Sequence, residues 1–292
     1  MSNQDAMFQP PEQANASHHS TSFTPWQWVA IIIGAIIIIA ALSSFINMLF
    51  SLFGAVLVVA AVAAALYFAW KSNTVPVELP LRRFTALEQP TVIIHNPAGN
   101  IRIQGAAVSD VEIRGTQRIL RSSYRHVVPS TLNCRHEGNT ITVTIDRQWE
   151  NEMMEKGSVD LDITVPAVSD LHIHGNAGGI RLRNIVGQVV IETNAGNIDA
   201  QETTFRRSST LRTNAGAINF EGALDPQGYY HFETNAGNIR ASLPYPSSIA
   251  ITSKTDFGSV HNELGGDIIG AEPRASLTLR TNLGSIYIQA VQ

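Results

Sequence analysis

Thr193-Asn194-Ala195-Gly196-Asn197-Ile198 returns as Thr213-Asn214-Ala215-Gly216-Ala217-Ile218 and as Thr234-Asn235-Ala236-Gly237-Asn238-Ile239. Looser copies are Gly175-Asn176-Ala177-Gly178-Gly179-Ile180, Thr255-Asp256-Phe257-Gly258-Ser259-Val260 and Thr281-Asn282-Leu283-Gly284-Ser285-Ile286. The Asn/Asp positions are spaced 18, 20, 21, 21 and 26 residues apart. A period near 20 residues is the mark of a repeat architecture.

Each copy is led in by an alternating segment such as Val189-Val190-Ile191-Glu192 and led out through the aliphatic residue after the glycine. Alternation with period two describes a half-buried strand. Between the strands, Asn bonds to nearby backbone and Gly accepts positive φ, so the unit is strand, tight corner, strand. The predicted corner residues are Asn176 and Gly178, Asn194 and Gly196, Asn214 and Gly216, Asn235 and Gly237, Asp256 and Gly258, and Asn282 and Gly284.

In register the copies form columns. Ile173, Ile191, Leu211, Phe232, Ser253 and Leu279 stand two residues before the Thr column; Ile180, Ile198, Ile218, Ile239, Val260 and Ile286 stand five after it. If each unit is one coil, the columns stack at about 4.8 Å and become a continuous core with an amide ladder at its corner. The fold class expected is all-β, a β-solenoid over residues 171–292. An antiparallel sandwich of hairpins is the alternative, and it explains a fixed aliphatic offset less well. Ser253 interrupts its column, which makes the fifth coil the weakest.

The rest of the chain divides by composition. Residues 1–25 are polar, lack Lys and Arg and hold three Pro, as a disordered tail does. His18-His19 there reads as solvated. Trp26 to Trp70 contains no charged residue over 45 positions. One helix of that length would run about 68 Å, against a hydrocarbon core of about 30 Å. Ser43, Ser44, Asn47 and Ser51 mark a turn, so an α-helical transmembrane hairpin is expected, with helices over roughly 28–43 and 50–69 and Trp26, Trp28, Tyr67 and Trp70 at the interfaces. A re-entrant first segment competes with this reading. Residues 71–90 read as a linker and 91–170 as a β lead-in that caps the coils.

All 20 Lys and Arg lie at or after Lys71, against 22 acidic residues, net −2 for that part. Such a balance argues against nucleic acid as a partner. Cys134 is the single cysteine, so no disulfide or cysteine-based zinc site forms within one chain. His172 and His174 share a strand face, but no Cys, Asp or Glu joins them at metal-ligand spacing. Glu192, Arg212 and Glu233 read as a cross-strand charge ladder rather than paired catalytic carboxylates. The corner glycines precede strands, not a helix N-terminus, so they are no phosphate loop. No catalytic residue, cofactor or metal is expected.

An extended strand ending in Val165-Pro166, then Leu171-His172-Ile173 and repeated Gly-x-Ile coils, resembles the bacterial DUF4097 family over residues 90–292. That resemblance implies an adhesin-like β-repeat related to head GIN domains, with a membrane segment in many members, links to envelope stress, and no defined catalytic residues. It also implies an extracytoplasmic domain. The function expected is a membrane-anchored, non-catalytic scaffold or envelope-stress module. Its partners would be the lipid bilayer through residues 26–70, and a protein, an envelope polymer or a second copy at the solenoid end. That end is expected at Leu277–Ile288, which only four residues follow. A polysaccharide-active enzyme on a parallel β-helix is the alternative.

The positive-inside rule opposes the adhesin orientation. Lys71, Arg82 and Arg83 follow the second helix while the turn between helices carries no Lys or Arg, which predicts both termini in the cytoplasm. If the first segment does not span, only the N-terminal tail moves outside. A reporter that works only outside the cytoplasm, fused after Gln292, should therefore stay silent; activity there would reverse the orientation.

Overall fold

The structure is a computed structural model that describes residues 74–86, 88–121, 130–146, 157–245 and 247–291. The expected tail and the transmembrane hairpin of residues 26–70 lie outside the described residues. Among those described every regular element is a strand, and no helix is long and apolar enough to cross a membrane. The all-β expectation holds for them, in two sheets of many strands.

Two strands joined by a glycine corner, Asn-x-Gly in most copies, make one coil, the first strand entering one sheet and the second the other. The coils in chain order are β3 (Thr91–Ala98) with β4 (Ile101–Ala106), β9 (Asp170–Ala177) with β10 (Ile180–Arg183), and β12 (Val189–Ala195) with β13 (Ile198–Phe205). Then come β14 (Ser208–Ala215) with β15 (Ile218–Leu224), β16 (Tyr229–Ala236) with β17 (Ile239–Pro244), β18 (Ile249–Phe257) with β19 (Val260–Asn262), and β21 (Ala275–Leu283) with β22 (Ile286–Val291). Neighbouring coils pair parallel and in register, Ile191 against Leu211 and Ile198 against Ile218. The inward columns of the sequence thus become one core. Ile173, Ile191, Leu211, Phe232 and Leu279 are fully buried in it, and Phe220 lies 4.8 Å from Phe205 and 5.2 Å from Phe232 between ring centres.

Order in space departs from order in the chain at both ends. β7 (Thr140–Asp146) and β8 (Ser158–Pro166) form a coil outside β3 and β4, so the earlier coil is clasped between later ones. Beyond it, β5 (Asp110–Leu120) and β6 (Thr131–Glu137) pair antiparallel with β8 and β7, while β1 (Thr74–Glu78) and β2 (Arg82–Thr85) pair antiparallel with β5. Antiparallel strands close that end.

At the other end the last coil in the chain is not the last in the stack. β21 pairs with β16 on one side and β18 on the other; β22 pairs with β17 and β19. This corrects the expectation of an exposed end at Leu277–Ile288, since Ile288 is buried. Side-chain chemistry explains the exchange. The last coil offers Leu277, Leu279, Ile286 and Ile288 to the core, all buried. The coil before it offers Ser253, and its Val260 is 40% exposed. Setting Ser253 between two full coils would bury a hydroxyl at a cost of about 1–3 kcal/mol, and leaving Leu279 at the rim would forfeit about 2 kcal/mol of burial. The polar coil therefore goes outside.

Close stacking at the corner admits only glycine. A Cβ at Gly196, Gly216 or Gly237 would meet the carbonyl oxygen of the preceding corner glycine at 2.0–2.1 Å, and all three have φ of 152°. The same column continues through Gly178, Gly284 and Gly258 with φ of 132°, 144° and 153°. Gly216→Val should accordingly cost more than about 3 kcal/mol, from strain and backbone collision together. Ala217→Val, one residue on at a half-buried position, should cost about 1 kcal/mol or less. Thermal melts followed by circular dichroism on the two variants check this; equal melting temperatures would contradict it.

Candidate binding face

The residue after each aliphatic corner residue points outward from the twelve-stranded sheet. Pairing sets Asp162, Arg102, Arg181, Asp199, Asn219, Arg240, Tyr287 and His261 in one row across the strands. Two residues further along run Thr164, Gln104, Arg183 and Gln201 and, across a register shift between β13 and β15, Glu221, Ser242 and Gln289. At the capped end these rows line a shallow groove of about 590 Å³, completed by Glu112 and Arg114 of β5.

Every carboxylate lining the groove is held by an arginine. Asp162 Oδ1 accepts from Arg102 at 3.2 Å, and Asp199 Oδ2 from Arg181 at 3.4 Å. Glu112 accepts from Arg83 at 2.6 Å and from both Nε and Nη2 of Arg114 at 2.8 and 2.6 Å. Hydrogen bonds from Arg83 and then Arg114 hold the Glu112 carboxyl below the usual carboxylate range. A general acid needs the opposite shift. Arg183 donates to Gln201 Oε1 at 2.8 Å, a neutral partner. Further along, the Arg240 guanidinium lies 5.6 Å from the centre of the Tyr287 ring, which stacks on His261 at 5.2 Å. The surface is a field of fixed donors and acceptors with a flat aromatic at one side.

The ten-stranded sheet carries the charge ladder anticipated for Glu192, Arg212 and Glu233. Glu192 stands opposite Arg212, and Arg212 opposite Glu233; Arg212 Nε reaches Glu233 Oε2 at 3.1 Å. Burial raises the Glu233 carboxyl, yet the hydrogen bond from His231 and the charges of Arg212, His231 and Arg280 outweigh it and leave it lowered. His174, beside Glu192 at 3.5 Å, stacks face to face on His95 with ring centres 5.0 Å apart. Burial and then the neighbouring His174 depress His95. Among the described residues no three His, Cys, Asp or Glu side chains converge as a metal site would need. His95 was missed in the sequence because its coil is degenerate, although aligning Thr91–His95 on Asp170–His174 puts the two histidines in one column.

The corner residues line one edge. Asn194 Nδ2 donates to Asn176 Oδ1 at 2.7 Å, Asn214 to Asn194 at 2.7 Å, Asn235 to Asn214 at 3.0 Å and Asn282 to Asn235 at 3.2 Å. Behind them Thr213, Thr234, Thr281 and Thr255 donate to the carbonyls of Gly196, Gly216, Gly237 and Gly284 at 2.9–3.1 Å. Gly178 and then Gly99 continue the glycine column on one side and Gly258 on the other, and Asp256 occupies the amide column beyond Asn282. These groups bond to one another, so they build the corner rather than a ligand site. The groove was legible only in part: its arginines and acids follow the Gly-x-Ile repeat, but which of them become neighbours depends on coil order.

No characterised protein sequence matches the chain closely enough to count. Among solved structures, a proposed cell-adhesion protein of Clostridium sporogenes aligns at 12% identity and TM-score 0.46, over 74% of this chain and all of that one. A proposed adhesin of Bacteroides fragilis aligns at 14% identity and TM-score 0.39, over 74% of this chain and 97% of its own. A proposed lipid-binding protein of Parabacteroides distasonis aligns at 9% identity and TM-score 0.26, over 74% and 97%. The profile of the family described as Toastrack DUF4097 matches residues 45–270, most of the chain, and the chain belongs to that family.

Proposed function

We propose that this protein is a non-catalytic interaction module, a β-solenoid anchored in the bacterial cell membrane through residues 26–70, whose twelve-stranded face holds an extended, polyhydroxylated envelope polymer. The observation that carries this reading is the arginine partner on each of Glu112, Asp162 and Asp199. Ion-paired carboxylates orient fixed donors toward sugar hydroxyls, and they are poor proton donors or nucleophiles. The rows step at the strand spacing of about 4.8 Å, close to the length of one sugar residue, so a chain laid across the strands meets outward side chains, most of them polar or charged, at each sugar. An envelope polymer is reached from outside the cytoplasm, so this reading takes the orientation that the family resemblance implies over the one expected from Lys71, Arg82 and Arg83, and the reporter fused after Gln292 should then be active.

A second reading has one observation behind it. Glu112, Asp162 and Asp199 do line one groove, as a polysaccharide-active enzyme would require. The two readings separate in one experiment. Full-length protein in detergent is mixed with peptidoglycan sacculi, and both retained protein and released reducing ends are measured. Retention without release is expected, and Arg181→Glu combined with Arg183→Glu should weaken retention about tenfold, roughly 1.4 kcal/mol. Reducing ends that vanish in Asp162→Asn would favour the enzyme; no retention at all would remove the polymer as partner.

A further inference from the structure

Among the described residues the stack stops at β18 and β19, with no further coil beyond them. The short strand β20 (Ile268–Ile269) covers only Ile249 and Ala250, and the Asp267 carbonyl accepts the Ile251 N–H at 2.7 Å. Among the described residues no strand pairs with this edge from Thr252 onward. In the coil beneath, Gly284 and Ile286 donate their N–H groups outward to Phe257 and Ser259, both at 2.9 Å. Gly258 and Val260 hold the same positions with no coil above them. Phe257 and Leu283, 73% and 55% exposed, stand at this corner where the inner coils have alanine. An uncovered parallel edge with apolar residues beside it is a template for another strand.

We propose that a second copy of this chain covers this edge, β18 pairing antiparallel with its twofold mate about an axis at Thr255. Three observations select a copy over a foreign strand. The first is direction. The Ile251 N–H points to the open edge, so alternation sends those of Ser253 and Thr255 the same way. Thr255 can then exchange both backbone hydrogen bonds with its own equivalent.

The second is charge. Glu192, Arg212, Glu233, Arg280 and Lys254 form one outward column, in stacking order. Signs alternate up to Arg280 and then fail, because Lys254 sits beside a second cation. The only carboxylate paired with Lys254 among the described residues is Asp256, at 3.8 Å. In an antiparallel pair centred on Thr255, the next position in the column is the partner's Asp256. Alternation is restored, and the twofold makes the match twice.

The third is the end of the amide ladder. Each asparagine donates Nδ2 to the coil before it. Asp256 follows Asn282 in that column, and a carboxylate has no N–H to give. An asparagine there would extend the ladder; aspartate instead leaves an anion at the rim, two residues from Lys254. A closed, self-complementary pair is what such a layout permits. This surface is separate from the polymer-binding face, so either can fail alone.

The test uses the full-length chain in native membranes with Cys134→Ala as background. Thr255→Cys would bring two thiols together, because the Cα atoms of a mutually hydrogen-bonded antiparallel pair lie about 5.5 Å apart, within reach of a disulfide. Mild oxidation should give a covalent dimer, and Thr210→Cys, mid-face on β14, should not. Adding Lys254→Asp sets like charges opposite each other and should cut the cross-linked fraction at least about tenfold. Combining Lys254→Asp with Asp256→Lys should restore it. Asp256→Asn completes the ladder, so it should lower the dimer while the melting temperature holds or rises. No dimer above the Thr210→Cys level, a dimer indifferent to charge reversal, or coupling to a different protein would each overturn the proposal. Light scattering of the unmodified full-length protein in detergent is the check free of substitutions, and a monomer mass there would overturn it too.

Discussion

Everything in the repeat region depends on how closely successive corners approach. At each corner the carbonyl of one glycine lies where a Cβ of the next would be, about 2 Å away. That contact excludes every other residue, sets the strand spacing on both sheets together, and brings the asparagine amides of adjacent coils within 2.7–3.2 Å. The amide ladder and the threonine-to-carbonyl bonds are consequences of the close approach. They satisfy polar groups at a bend where strand pairing alone would leave them open. One column without side chains thus holds the register for the aliphatic columns behind it.

A stack of this kind has two ends, and the chain treats them differently. The first end is closed by reversal: β5 and β6 run antiparallel to the coil beneath and the short strands β1 and β2 cover β5. Parallel coils cannot terminate themselves, because each leaves N–H and C=O groups aimed at a successor. Among the described residues the far end has β20, two residues long, with Leu264 and Ile269 packed against the core. The polar coil is sent there because Ser253 and the half-exposed positions around it tolerate water, while the aliphatic last coil does not.

The outward rows follow from the same register. Alternation fixes which residues face out, and stacking brings residues 18 or 60 positions apart into contact, as with Arg181 and Asp199 or Arg102 and Asp162. The groove is therefore a property of the stack rather than of any one repeat. Opposite charges on neighbouring rungs favour the register modestly, since exposed pairs contribute about 0–1 kcal/mol each. Their larger effect is on chemistry, because arginine partners engage every carboxylate lining the groove and hold Glu112 below the usual carboxylate range.

The sequence by itself determined the strands, the corners and the two inward columns, because period-two alternation and a glycine held at positive φ are local requirements that each copy states for itself. It also marked Ser253 as the fault in the fifth coil. Coil order was decided only in three dimensions. The copies present nearly the same edge, so backbone pairing accepts any of them as a neighbour, and burial of Leu279 in preference to Ser253 breaks the tie. The placement of β3 and β4 inside β7 and β8, the pairing of His95 with His174, and the presence of Lys254 and Asp256 at an open edge all depend on that choice. Local patterning carries none of them, since each rests on which strand lies beside which.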